Sequence, residues 1–306
     1  MKLIDKYGRV ITRLRISIIA KCNMNCPYCH REGYENGWGN NILSIEQIKK
    51  ILPVIEKYEI NSIKITGGEP LLHPHIVEIV KMLNSVKNVK DISMTTNGLL
   101  LSKYAMDLKN AGLRRVNIGC DSLYNSSVKS VEKIEEALKV AKEVGFNPVK
   151  LNMVILRNIN EYEIDDMIKF AGKHGFILQL IELIDTNKEF YKQYHVDLSS
   201  IEEQLKNRAK KIFVRDVQDR RQYLLNENTL VEVVHPMHNP DFCANCHTLR
   251  ITNDFQFQPC LMRTDNLVPI EDDVEKALNK AMSNRRPYYV RKQNKFRRFS
   301  PTHKKL

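Results

Sequence analysis

Leu14-Arg15-Ile16-Ser17-Ile18-Ile19-Ala20-Lys21-Cys22-Asn23-Met24-Asn25-Cys26-Pro27-Tyr28-Cys29 reads as a strand running into a loop with three cysteines spaced C-x3-C-x2-C. Working outward, the chain repeats this strand-then-loop plan. Ser44-Ile45-Glu46-Gln47 has the form of a capping box, and Ile48, Ile51, Leu52 and Ile55 follow at helical spacing. Ser62 to Thr66 is β-branched and stops at Gly67-Gly68. A helix is expected from about Pro74, a residue suited to a first helical position, to Asn84. Ile92 to Thr95 leads into Asn97-Gly98, and a helix of about ten residues then ends near Gly112.

The alternation continues with a strand at Arg115 to Cys120 and a helix at Val131 to Val144 stopped by Gly145. Val149 to Ile155 is the next strand, Asn160 caps a helix ending near Gly172, and Phe176 to Leu183 is the sixth strand. Six strands separated by helices imply an α/β fold of parallel strands with right-handed crossovers. An open doubly wound sheet and a partial barrel both fit this periodicity. In either, chemistry gathers at the C-terminal strand ends, where Cys22, Gly67-Gly68 and Thr95-Thr96-Asn97 all fall. After about residue 195 the pattern breaks into short strand-like segments near 212–215, 222–225 and 230–234.

The chain has 306 residues, is 42% hydrophobic and carries seven cysteines. No apolar run of about 18 residues suggests a membrane span, and Met1 to Lys6 lacks the apolar stretch of a secretory signal. The expected compartment is therefore the cytoplasm, where thiols stay reduced and an odd cysteine count with tight grouping points to metal rather than disulfides. The second group is Cys243-Ala244-Asn245-Cys246 with Cys260 after thirteen intervening residues; Cys120 stands alone and reads as a small packed residue. Thiolates are soft, charged ligands suited to iron–sulfur clusters, and three of them on a four-iron cluster leave one iron open. Zinc is the alternative, with His30 as a fourth ligand for the first group, and His235 or His247 extending a zinc ribbon at the second. Of the net charge of +12, nine positive charges lie in residues 285–306, leaving +3 elsewhere. That segment reads as a solvated basic tail.

The C-x3-C-x2-C triplet followed by Thr66-Gly67-Gly68-Glu69-Pro70 resembles the radical S-adenosylmethionine superfamily. The ordered set from Tyr7-Gly8-Arg9 through Thr95-Thr96-Asn97-Gly98, Arg115-Val116-Asn117-Ile118, Lys150-Leu151-Asn152 and Cys243…Leu249-Arg250-Ile251-Thr252…Pro259-Cys260-Leu261 is similar to the GTP 3′,8-cyclases (the MoaA family), which open molybdenum cofactor biosynthesis. The resemblance spans about residues 5–265. It implies a partial (β/α)6 barrel over 1–195, a smaller auxiliary-cluster domain over 196–284 and a basic tail over 285–306. It also implies two 4Fe-4S clusters, on Cys22, Cys26 and Cys29 and on Cys243, Cys246 and Cys260, with S-adenosylmethionine at Tyr28, Gly67, Gly68 and Glu69. GTP is implied at Arg15, Lys64, Thr95, Lys150, Thr248 and Arg250.

A triphosphate carries about four negative charges, and screened ion pairs are individually modest, so three or four convergent cations are needed. Further implied partners are a reducing electron donor and the next enzyme of the pathway; a homodimer is left open. The chain departs from the family pattern at Thr248 and Gln179, where arginines are usual, at Gly119 for a serine and at Ile184 for a methionine. It ends Thr302-His303-Lys304-Lys305-Leu306 instead of in two glycines. The basic tail is the expected source of the missing charge. Two other readings compete. A peptide-modifying radical maturase would carry more C-terminal cysteines. A zinc-bearing nucleic-acid-binding protein would leave the first triplet and the six βα units unexplained.

Overall fold

A computed structural model describes residues 1–33, 40–124, 129–226 and 228–291. The six expected strands are present as β1 (Arg13–Ser17), β2 (Ser62–Thr66), β3 (Asp91–Thr96), β4 (Arg115–Gly119), β5 (Val149–Ile155) and β6 (Ile177–Glu182). Between them run α1 (Ile45–Lys57), α2 (Ile76–Asn84), α3 (Leu101–Ala111), α4 (Val131–Glu143) and α5 (Ile164–His174). All adjacent pairs from β1 to β6 are parallel, and they lie in sequence order.

The C-terminal region does not build a sheet of its own. It supplies β7 (Lys211–Val214), β8 (Arg221–Leu224), β9 (Leu230–Val234), β10 (Thr248–Ile251), β11 (Gln256–Gln258) and β12 (Val268–Pro269). Strand β10 pairs parallel with β1, and β9 pairs parallel with β6. Antiparallel strands continue beyond each, so the sheet order is β12-β11-β10-β1-β2-β3-β4-β5-β6-β9-β8-β7.

Side chains alternate strictly on these strands. Ile63, Ile65, Ile92, Met94, Val116, Ile118, Leu151, Met153, Leu178 and Leu180 pack into one core with the helices, all fully buried. The intervening positions are polar: Arg13, Arg15, Lys64, Ser93, Thr95, Asn117, Lys150, Asn152 and Gln179 all line one cavity on the opposite face. Parallel sheets covered by helices on both faces read as continuous apolar runs. The alternation here belongs to a sheet with helices on one face only, curled around a polar interior. This is the partial-barrel arrangement, left open because β12 and β7 are not paired with each other.

The Ser44–Gln47 capping box forms as expected. Three boundaries differ from the sequence expectation. Helix α2 starts at Ile76, because Pro74 sits in the turn before it. Helix α5 runs past Gly172 and ends at Gly175, whose φ of 73° supplies the left-handed cap. Asn160 stands at the N-cap position of the short 3-10 turn Glu161–Glu163 that runs into α5, but its side chain makes no capping bond; its amide donates to the Asp121 and Val154 carbonyls and locks the β5 loop.

Candidate active site

The first cysteine loop is held by the glycine turn. Gly68 N donates to Ile19 O at 2.7 Å and Glu69 N to Lys21 O at 2.9 Å. A Cβ on Gly68 would lie 2.2 Å from Lys21 O and 2.3 Å from Ala20 O; one on Gly67 would lie 2.5 Å from Ile19 O. Both glycines therefore admit the backbone that leads into Cys22, a packing requirement beyond the ligand approach expected from sequence. Glu69 does not line the cavity. Its carboxylate accepts from Leu71 N at 3.1 Å, Thr96 Oγ1 at 2.7 Å and Asn97 N at 2.7 Å, tying the turn to the end of β3. Asn97 Nδ2 in turn donates to Asn23 Oδ1 at 2.7 Å inside the cysteine loop. The three motifs are one hydrogen-bonded unit.

All six grouped cysteines are free, partly exposed and face the same cavity, of about 390 Å³. Cys22, Cys29 and Cys243 each accept a backbone N–H, from Met24, Arg31 and Tyr289, all at 3.4 Å. Burial pushes the Cys22 and Cys260 thiols up, and Cys29 to about 11. Among the described residues no three His, Cys, Asp or Glu side chains converge as the ligands of one ion do. All-thiolate donors, N–H groups directed at sulfur and open space in front fit an iron–sulfur cluster at each triplet. The histidines considered as zinc ligands are engaged elsewhere: the His247 ring bonds Val10 O at 2.7 Å and His235 lies 3.4 Å from Glu182. His30 lines the cavity, with Nδ1 accepting from Glu32 N.

Tyr28 also lines the cavity. Its hydroxyl donates to the buried Asp121, and its ring lies 5.1 Å from the Lys129 ammonium, which pairs with Asp121 at 3.3 Å. Gly119 leaves the space this lysine fills: a Cβ there would meet Lys129 Cδ at 2.8 Å. Cys120 is fully buried, its thiol pushed up to about 12 by burial, and is a packed residue as expected.

Arg15, Lys64, Thr95, Lys150, Thr248 and Arg250 are all brought together on the cavity wall. Sheet register explains why: Arg250, Arg15 and Lys64 are direct neighbours across β10, β1 and β2. Sequence reasoning missed several partners. Arg13, Arg115, Arg215 and Arg220 line the same wall. Arg13 was signalled by its place two residues before Arg15 on one strand face. Two unforeseen carboxylates organise the cations. Glu32 bonds Arg15 at 2.5 Å and Arg250 at 2.8 Å; burial pushes its carboxyl up, but Arg15, His30 and Arg250 hold it at about 2. Glu232, fully buried, bonds Lys150 at 2.6 Å, Arg220 at 2.9 Å and Arg215 at 3.0 Å.

The balance is strongly positive. Among the described residues eleven lysines and arginines line the cavity, and only five carboxylates pair with them: Asp5, Glu32, Asp91, Asp121 and Glu232. Burial and the surrounding cations Arg15, Arg115, Arg220 and Lys150 push the Lys64 ammonium well below the usual lysine range. Such a wall is built for a polyanion. In the described part of the expected basic tail each arginine is already paired. Arg285 is fully buried against Asp5 and the Cys246 carbonyl, while Arg286 and Arg291 pair with Asp265 and Asp241. The rest of the tail, 292–306, lies outside the described residues.

Residues 16–171 match the Radical SAM superfamily, and residues 176–294 match Molybdenum Cofactor Synthesis C. The chain is 39% identical over 308 residues to the probable GTP 3′,8-cyclase of Methanothermobacter thermautotrophicus, covering 95% of this chain and all of that one. It is 42% identical to the protein of the same name from Methanosarcina mazei, covering 94% and 90% of the two chains. The Pyrococcus abyssi protein so named is 40% identical, covering 94% and 100%. Among solved structures, Streptococcus suis SuiB bound to the precursor peptide SuiA superposes with a TM-score of 0.66 at 15% identity, over 91% of this chain and 67% of that one. The enzyme anSMEcpe with bound AdoMet and the Kp18Cys peptide gives 0.63 at 19%, over 88% and 81%. These two share the fold.

Proposed function

Because the chain belongs to the radical S-adenosylmethionine superfamily and, within it, to the GTP 3′,8-cyclase family, we propose that its cation-lined cavity holds GTP between two iron–sulfur clusters. The enzyme is a lyase that converts GTP to (8S)-3′,8-cyclo-7,8-dihydroguanosine 5′-triphosphate in molybdenum cofactor biosynthesis. It uses an iron–sulfur cluster with S-adenosylmethionine. When bound, that cluster would supply the electron for reductive cleavage of S-adenosylmethionine into methionine and a 5′-deoxyadenosyl group able to take hydrogen from the ribose of GTP.

The chain's own residues then have distinct tasks. Cys22, Cys26 and Cys29 hold the radical-generating cluster, and Cys243, Cys246 and Cys260 hold a second cluster facing the guanine. Gly67 and Gly68 keep the first loop and the S-adenosylmethionine edge in register, Glu69 fixes that turn from behind, and Tyr28 closes the wall beside it. Arg15, Lys64, Lys150 and Arg250 take the phosphates, with Thr95 and Thr248 as neutral hydroxyl donors. The division we infer is functional, with a radical half to residue 195, an auxiliary-cluster half over 196–284 and a basic segment beyond, because both halves contribute to one sheet. A reducing electron donor and the enzyme that consumes the cyclised triphosphate complete the partner set, in the cytoplasm. Among the described residues no helix is long and apolar enough to cross a membrane.

The observation that carries this reading is the single cavity faced by both cysteine triplets and by a surplus of cations. That surplus favours a nucleoside triphosphate over a peptide substrate. The test is anaerobic reconstitution with iron and sulfide, followed by reductant, S-adenosylmethionine and GTP. Mass spectrometry should find 5′-deoxyadenosine and a cyclised GTP product together. Deoxyadenosine without any GTP conversion would move the substrate assignment to a peptide or another small molecule.

A further inference from the structure

We infer that Arg215 and Arg220, on the β7–β8 hairpin, form a polyphosphate clamp that supplies the charge lacking at Gln179. This rests on GTP as the substrate and names the side chains that read its phosphate end.

The geometry begins at Glu232. One of its oxygens, Oε1, accepts from Gln179 Nε2 at 2.8 Å and from Arg220 NH1 at 2.9 Å. Arg220 thus places its guanidinium beside the amide of Gln179, the position at which a cation is missing. Arg215 NH1 reaches both oxygens of the same carboxylate, at 3.1 and 3.0 Å, and Lys150 bonds Oε2 at 2.6 Å. One buried carboxylate cannot neutralise three cations, so a net positive charge remains at the cavity wall. Arg220 Nε is buried without a hydrogen-bond partner, as is Arg15 Nε. Among the described residues Lys64 makes no ion pair. Unpaired buried donors on cations are costly and are satisfied when an anion arrives.

The hairpin is held for this task. Arg215 N donates to Arg220 O at 2.9 Å across the turn, and both turn residues Gln218 and Asp219 have positive φ, 61° and 51°. Gln218 N donates to Asn245 O at 2.8 Å, between Cys243 and Cys246. The clamp is therefore anchored at one side to the second cysteine loop and at the other to Glu232. Glu232 is a positioning residue; Arg215 and Arg220 are the contacts.

The experiment titrates the reconstituted enzyme with GTP, guanosine and inorganic tripolyphosphate. Arg220→Gln should weaken GTP about 10-fold or more, the scale of one charge-assisted contact, and change guanosine less than about twofold. Adding Gln179→Arg to that variant should restore most of the GTP affinity, and Arg220→Lys should retain most of it even if Arg220→Gln folds poorly. Equal loss for GTP and guanosine, or no loss for either, overturns the clamp. A wild-type enzyme that ignores GTP yet binds tripolyphosphate through Arg220 would keep the clamp and refute the cyclase reading; one that binds neither refutes the clamp.

Discussion

The Glu32 carboxylate lies 2.5 Å from the Arg15 guanidinium, and its other oxygen lies 2.8 Å from Arg250. An internal anion thus occupies two of the cations assigned to the nucleotide. Incoming phosphate must share or displace it. We expect Glu32→Gln to tighten GTP binding about 5-fold, roughly 1 kcal/mol, measured by calorimetry on the reconstituted enzyme. Weaker binding would mean that Glu32 holds Arg15 in place instead of competing for it.

Lys150 gives a pH dependence. Burial pushes its ammonium down to about 8, against the pull of Glu232 and with the help of Arg215 and Arg220. A bound polyphosphate favours the charged form, so above pH 8 binding must take up a proton. GTP affinity should be level below that pH and fall as pH rises through it. Calorimetry at pH 9 in two buffers of different ionisation enthalpy should show more proton uptake than at pH 7, and that increase should be lost in Lys150→Met. Identical heats in both buffers would contradict the assignment.

Gly68→Ala forces a methyl to within 2.2 Å of a backbone oxygen that cannot swing away. Overpacking of this kind costs about 1–3 kcal/mol, and here the displaced segment carries Cys22. The variant should show a lower thermal midpoint and reduced iron retention after desalting. Gly119→Ala meets only the flexible Lys129 chain and should retain near-normal iron. Equal behaviour of the two would argue against backbone contact as the cause.

Asp5 acts on the second triplet at a distance. It bonds Arg9 and Arg285, which in turn donate to the carbonyls of Cys243 and Cys246 at 2.9 and 2.7 Å. Removing one partner from a buried ion pair costs about 3–5 kcal/mol. In Asp5→Ala, iron at the second triplet should be lost first, so that deoxyadenosine release persists while cyclised product disappears. Loss of both activities in parallel would show general unfolding.

Much of this was legible in the chain. The six strands fell within about two residues of their expected bounds, because β-branched runs, glycine stops and one capping box agree locally. The choice between a doubly wound sheet and a partial barrel was also encoded, in the alternation of Arg13-Leu14-Arg15-Ile16 and Lys150-Leu151-Asn152-Met153, which a sheet covered on both faces would not tolerate. The cation network was less visible. Glu32 meets partners 17 and 218 residues away, Arg215 and Arg220 flank the turn between β7 and β8, and Glu232 lies on a short strand whose pairing depends on β6. No spacing rule reports contacts made only by a long-range parallel register. Arg285 looked like part of a basic run, yet burial against Asp5 makes it a core residue.

The pairing of β10 with β1 joins residues 248–251 to 13–16, and Arg285 reaches Asp5 across 280 residues. Contacts this distant in sequence form slowly, and during synthesis they wait for the ribosome to deliver the distal partner. The cavity wall is therefore incomplete until residue 285 has been synthesised. Any metallocluster delivered to Cys22, Cys26 and Cys29 before then would sit on a half-walled, oxidant-accessible nascent chain. Maturation of this protein is best served after Arg285 has met Asp5.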